Sequence, residues 1–178
     1  MKRNVAPRIF RVLVQAKDLD QSERFYEALL GTRGRRVAGG RIYFDCGPVI
    51  LGILDSASEG RDPPRPPTEA LYFASADLEG VYRRARALGS LSAELIHNDV
   101  DNPAGEIVVR PWGERSFYVI DPSGNPLCFV DDHTLFTGTA RQIDALRRGS
   151  HGRSPGARRT HRSGAQPRRG THRRSTSE

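Results

Sequence analysis

One internal repeat constrains this chain more than any other feature. RVLVQAKDLDQSERFYEALLG (Arg11 to Gly31) lies over ALYFASADLEGVYRRARALG (Ala70 to Gly89), with Asp18-Leu19 matching Asp77-Leu78 at an offset of 59 positions. In each copy an apolar or alternating run precedes an Asp-Leu step, and a helical stretch follows that ends at glycine. Glycine enters the left-handed conformation freely and so terminates a helix. After Gly31 the runs RRVAGG, RIYFDCG and VILGILD predict three strands, separated by Gly-Gly and by the Asp45 to Pro48 turn. In the second copy the runs are SAELIHN, RSFYVID and PLCFV, the last two joined by the turn DPSG, where Pro122 presets φ and Gly124 tolerates a positive φ. Each half therefore reads β-α-β-β-β. Between them RDPPRPPTE, Arg61 to Glu69, is an extended proline-rich linker that no helix or central strand accommodates. The expected fold class is α+β, two tandem βαβββ modules at about 8–57 and 68–132 within one domain at 8–137.

Charge divides the chain differently. The sequence has 28 Lys and Arg against 21 Asp and Glu, a formal net of +7. Residues 149–178 hold eight of the Arg and one acid, which leaves 20 of each sign before Gly149. Only this tail supports a nucleic-acid reading, weakly, through phosphate contacts, because it has no aromatic residue to stack on bases. Its Arg, Ser, Gly, Thr, Pro and His composition cannot offset ordering entropy by burial, so a disordered basic tail is expected. The longest apolar stretch, Pro48 to Leu54, is far below the roughly 18 residues of a membrane helix, so no membrane partner is expected. Pro7, Arg8 and Arg11 interrupt any signal-like apolar region, and a cytoplasmic location is the expectation. Cys46 and Cys128 are 82 positions apart, which offers neither a disulfide framework nor a zinc motif. Before Gly149 no GxGxxG, GxSxG or P-loop spacing occurs.

The paired modules, KDLDQSERFYEALLG at Lys17 to Gly31 and PWGERSFYVIDPSGNPLCFVD at Pro111 to Asp131 together resemble the vicinal oxygen chelate superfamily, also called the glyoxalase, bleomycin-resistance and dioxygenase superfamily. The resemblance spans roughly Phe10 to Asp131. It implies two sheets enclosing a U-shaped cavity, helices outside, and in metal-using members His, Gln or Glu ligands pointing inward from the first and last strands of the modules. Carried over, those ligand positions fall on Arg11, Leu51, Ala70 and Cys128, none of which is His, Gln or Glu. One thiolate cannot hold a divalent ion that needs about three protein ligands, and Arg11 adds a positive charge. The resemblance thus implies the scaffold without its usual catalytic metal, and no cofactor is expected.

Strand alternation assigns the cavity wall. Arg11, Leu13 and Gln15 share one face of the first strand; Ala70, Tyr72 and Ala74 share one of the fifth; Cys128 and Val130 share one of the eighth. Arg11 is a candidate for an anionic ligand group or a solvated strand end. Gln15 and Tyr72 are candidates for orienting hydrogen bonds, and Trp112 for an aromatic wall or a packed corner. Cys128 reads as a buried thiol with no histidine near it in sequence. The predicted ligand-binding set is Arg11, Leu13, Gln15, Leu51, Tyr72, Trp112, Cys128 and Val130. Asp131-Asp132-His133 reads as the solvated end of the last strand.

The leading expectation is a cavity that holds a small organic ligand, similar to the antibiotic-sequestering branch, in a homodimer by resemblance. A rival is a metal-dependent lyase, isomerase or dioxygenase that recruits His97, Glu106 or Glu114 for Zn, Ni, Mn or Fe. A third makes the Arg-rich tail the working part, on nucleic acid.

Overall fold

The computed structural model describes residues 7–62 and 65–150. Its first module runs β1 (Arg11–Ala16), α1 (Leu19–Leu30), β2 (Arg35–Val37), β3 (Arg41–Cys46) and β4 (Val49–Asp55). The second runs β5 (Leu71–Ser75), α2 (Leu78–Ala87), β6 (Val108–Val109), β7 (Arg115–Ile120) and β8 (Pro126–Asp131). The sheets have matching orders, β1-β4-β3-β2 and β5-β8-β7-β6. Among the described residues the parallel pairs, β1 with β4 and β5 with β8, are those that each module's helix crosses over.

The Asp-Leu step starts both helices. Asp18 accepts a hydrogen bond from Gln21 N at 2.8 Å and Asp77 one from Gly80 N at 2.9 Å, each satisfying a donor that a helix leaves orphaned. Gly31 ends α1 at φ 70, the left-handed conformation that a Cβ disfavours. Each helix lays its apolar face on its own sheet, and the buried side chains of both modules form one shared core, with Tyr26, Leu29 and Phe44 from the first and Ala85, Phe117 and Leu127 from the second.

Two motifs far apart in sequence fasten the modules. Tyr26 Oη donates to Asp121 Oδ2 at 2.9 Å in the interior. Asp121 Oδ1 accepts from Ser123 N and Asn125 N at 2.8 and 2.7 Å, and Asn125 Nδ2 donates to Asp121 Oδ2 and to Gln15 O. Lys17 N donates to Ser123 Oγ at 3.0 Å. The turn DPSGN is therefore a latch as well as a hairpin.

Two features depart from the expectations. Ser92–Asn98 is not a strand: it makes single bridges, Leu91 to Val119 and Leu95 to Pro103, and then a short 3-10 turn at Ile96–Asn98. His97 (φ 55) and Asn98 (φ 57) are left-handed there, which breaks the extended backbone a ladder requires. The two residues of β6 pair with β7 in its place. A third helix, α3 (Ala140–Ser150), follows the last strand, with Gln142 Oε1 accepting from Thr137 N and Thr139 N at 3.1 and 3.2 Å. Beyond Ser150 the Arg-rich tail lies outside the described residues. Among the described residues no helix is long and apolar enough to cross a membrane.

Candidate ligand-binding trough

The sheet faces turned away from the helices are where a ligand cavity would lie, and the two modules furnish them differently. In the first, strand register groups Arg11 with Ile50 and Asp45, Leu13 with Gly52 and Tyr43, and Gln15 with Leu54 and Arg41. This face is largely bare. Leu13 lies across Gly52, where a Cβ would come within 2.5 Å of Leu13 Cδ2, and it remains 47% exposed. The Arg11 guanidinium sits 4.6 Å from the Tyr43 ring centre and 5.1 Å from that of Phe10, a cation–π pairing at the surface. Gln15 Oε1 accepts from Ser56 Oγ at 2.5 Å.

In the second module the same face is covered. Register groups Tyr72 with Cys128 and Tyr118, and Ala74 with Val130 and Ser116. Over them lies Arg110, 1% exposed, with its Cζ 5.5 Å from the Tyr118 ring centre. Nε donates to Ser116 Oγ at 3.0 Å, and Nη1 to Asn102 Oδ1 and Pro103 O at 2.5 and 3.0 Å. Nη2 donates to Ala104 O, Glu106 O and Ser116 O at 3.3, 3.1 and 2.7 Å. Every acceptor is neutral, and they hold the segment from Asn102 to Glu106 down on the sheet. Burial pulls the Arg110 guanidinium below its ordinary pKa. Tyr72 Oη and Tyr118 Oη meet at 3.2 Å, and burial followed by that contact pushes the Tyr118 phenol well up.

Two clefts join on this side. One, about 380 Å³, runs between the modules past Leu13, Gln15 and Asn125; the other, about 300 Å³, is walled by Tyr72, Tyr118, Glu94, His97 and Trp112. Both are lined by Glu69, Ala70 and Pro126, so they adjoin, and together they are called the trough. A larger cleft of about 700 Å³ lies on the helix side of the sheets.

The predicted residues divide accordingly. Leu13, Gln15, Tyr72 and Trp112 line the trough. Arg11 shares the Leu13 face but lies beside it, over Tyr43. Leu51 is one residue out of phase: it pairs with Val12 and sits in the core on the helix side. Cys128 and Val130 occupy the anticipated face but are 0% and 2% exposed, on the sheet surface that Arg110 covers. Arg110 and Tyr118 carried no role in the sequence reading. Alternation along β7 from the paired β8 points Tyr118 to this face, whereas nothing in the sequence distinguishes Arg110 from a solvated arginine.

The residues at the positions that the resemblance assigns do not fit a divalent ion. Of the four positions, Arg11, Leu51, Ala70 and Cys128, none is His, Gln or Glu; Leu51 faces the core, and Cys128 is a buried thiol, pushed up to about 12 by burial, on the surface that Arg110 covers. His97, Glu106 and Glu114 form no group within ligand reach of one another among the described residues. Glu114 is instead held by Trp112 Nε1 at 2.7 Å and Phe136 N at 3.0 Å. Asp131, Asp132 and His133 do bring ligand atoms within 4.8 Å of each other, contrary to the expected divergence on a strand, because β8 ends at Asp131 and the chain turns. There Asp131 is already committed to Arg115 Nη1 at 3.1 Å and to His133 N at 3.0 Å.

A family model, the Glyoxalase/Bleomycin resistance protein/Dioxygenase superfamily, matches residues 8–129. The chain belongs to this superfamily. Solved members share its fold: a glyoxalase/bleomycin resistance protein from Albidiferax ferrireducens is 22% identical, with a TM-score of 0.55, over 68% of this chain and 95% of that one. A glyoxalase-related enzyme from Fulvimarina pelagi is 19% identical, with a TM-score of 0.56, over 71% and 88%. Lactoylglutathione lyase from Agrobacterium tumefaciens is 22% identical, with a TM-score of 0.51, over 71% and 94%. No curated protein matches the chain. Tyr26, Asp121 and Asn125, which carried the resemblance in sequence, are the residues of the latch in this superfamily member.

Proposed function

We propose that this superfamily member binds a small organic ligand in the trough without the usual catalytic metal, as a cytoplasmic homodimer. The observation that carries the reading is the composition of the trough: apolar and aromatic walls with the linked Tyr72 and Tyr118 hydroxyls, and, among the described residues, no group of three His, Cys, Asp or Glu side chains converging there. The buried charge of Arg110, with neutral acceptors only, further opposes a cation on the second sheet. Affinity would come mainly from apolar burial at about 25 cal/mol per Å², with Gln15 and the two tyrosines orienting polar groups.

Thermal melting of the full chain with Zn, Ni, Mn or Fe(II), and with chelator, tests the metal claim. A ligand selective for the folded state raises its stability by mass action. The expected result is an unchanged midpoint in every case; a rise with one ion that chelator reverses would establish the rival reading. That rival, a metal-dependent lyase, isomerase or dioxygenase with relocated ligands, has one observation in its favour: His97 lines the trough in a strained left-handed conformation. The homodimer is supported by Leu13 and Tyr72, each about half exposed on strands bordering the trough, and by Phe10, about half exposed just before β1. Light scattering of wild type and Leu13→Glu tests it, with a dimer expected for the first and a monomer for the second. The reading in which the tail binds nucleic acid rests on residues outside those described.

A further inference from the structure

The 700 Å³ cleft on the helix side lies outside the trough, and its walls have a definite chemistry. α2 contributes Val81 and Arg84, the β3–β4 turn contributes Cys46 and Gly47, and β5 and β8 contribute Phe73 and Phe129. The Phe73 and Phe129 rings stack at 5.0 Å and 16°, and Phe129 continues the stack to Phe117 at 5.6 Å. The apolar wall is thus fixed in place by the core behind it.

Three charged groups line the cleft. Asp45 is in a two-bond ion pair with Arg35, and Asp77 accepts from Gly80 N at the start of α2. Both carboxylates are committed. Arg84 is not: its Nε donates to Leu29 O at 2.8 Å, while its two Nη groups make no hydrogen bond or ion pair among the described residues. A half-buried guanidinium with a free fork beside a flat aromatic wall matches one class of ligand, since the fork takes a carboxylate in two parallel bonds and the ring stack takes an aryl face.

We propose that this cleft is a second ligand site, for a flat aromatic carboxylate whose ring lies on Phe73, the outer ring of the stack, and whose carboxylate is bound by Arg84. Its volume suits a drug-sized molecule. The site borders the trough at Val12, Leu71 and Tyr72 but takes its charge from Arg84, which does not line the trough, so the two readings are tested separately.

The test uses the full chain with methyl-labelled side chains, titrated with 2-naphthoate and with its neutral analogue 2-naphthalenemethanol. Expected are shifts of the Leu30 and Val81 methyls and not of Leu13 or Leu95 in the trough, with naphthoate about tenfold or more tighter than the alcohol, the size of a charge-assisted hydrogen bond. Arg84→Gln should abolish the difference between the two probes. No methyl shifts, shifts confined to the trough, or equal affinity of acid and alcohol for wild type would each overturn the proposal. The last comparison needs no variant and stands even if Arg84→Gln fails to fold.

Discussion

The two seams between the modules occupy matching positions of the repeat and are built in opposite ways. At one, the β7–β8 turn reaches α1: Asp121 and Asn125 stand on a five-residue loop, and Tyr26 spans the gap to them. At the other, the β3–β4 turn faces α2, but only Gly47 and Pro48 separate the paired Cys46 and Val49, so no loop side chain extends across. Counted from the capping aspartates, the position in α2 that matches Tyr26 is Ala85, whose methyl cannot bridge anything. One seam is closed by buried hydrogen bonds and the other remains a cleft with Phe73, Phe129 and Arg84 on its walls. Duplication supplied a symmetric frame, and a few side chains decided which half of it is rigid and which has room for a guest.

The contrast sharpens most under substitution of the latch carboxylate. Asp121→Ala removes the acceptor for Tyr26 Oη, Ser123 N, Asn125 N and Asn125 Nδ2 together. Buried donors left unpaired make this a loss of about 3–5 kcal/mol in urea unfolding. Tyr26→Phe removes one of those bonds and is expected to cost about 1.5–3 kcal/mol, since the acceptor is charged. At the open seam, Asp45→Ala should leave the unfolding midpoint in place, because Asp45 is exposed and its pair with Arg35 is a surface one. Equal losses from the two aspartate substitutions would erase the distinction.

Alkaline pH acts on the same side of the molecule. Burial, reinforced by Asp121, holds the Tyr26 phenol well above its usual value, and burial pushes Cys128 from 9.0 to about 12. Above about pH 9 the unfolded chain releases the Cys128 proton, and above about pH 10 that of Tyr26, while the folded chain keeps both. Their contribution is therefore complete below pH 9 and lost as pH rises, by about 1.4 kcal/mol per pH unit for each group. Urea midpoints measured from pH 8 to 10.5 should fall, and Cys128→Ser should make the fall between pH 9 and 10 shallower, the remainder coming from Cys46, whose thiol burial also pushes up. A flat profile would mean that these groups are open to water.

Much of the frame was legible because it is written in local chemistry. The Asp-Leu step is a cap, the helices end at glycine, and strand alternation separated Tyr72 from Phe73 and Cys128 from Phe129. What escaped depended on long-range placement. Arg110 holds the segment from Asn102 to Glu106 over the sheet, and the run before it, which alternates like a strand, is a loop with His97 left-handed. Leu51 was carried over from a family pattern, and its phase is set by pairing with Val12, which only the register of β1 on β4 reveals. The third helix had a local signal, Thr139 followed three residues on by Gln142, which is a capping box.

The latch is tested most directly by a double-mutant cycle between Tyr26→Phe and Asp121→Asn in urea unfolding. A coupling of about 1–3 kcal/mol is predicted for residues that share one buried hydrogen bond. Additive effects, with no coupling beyond error, would contradict the account and leave the two seams equivalent.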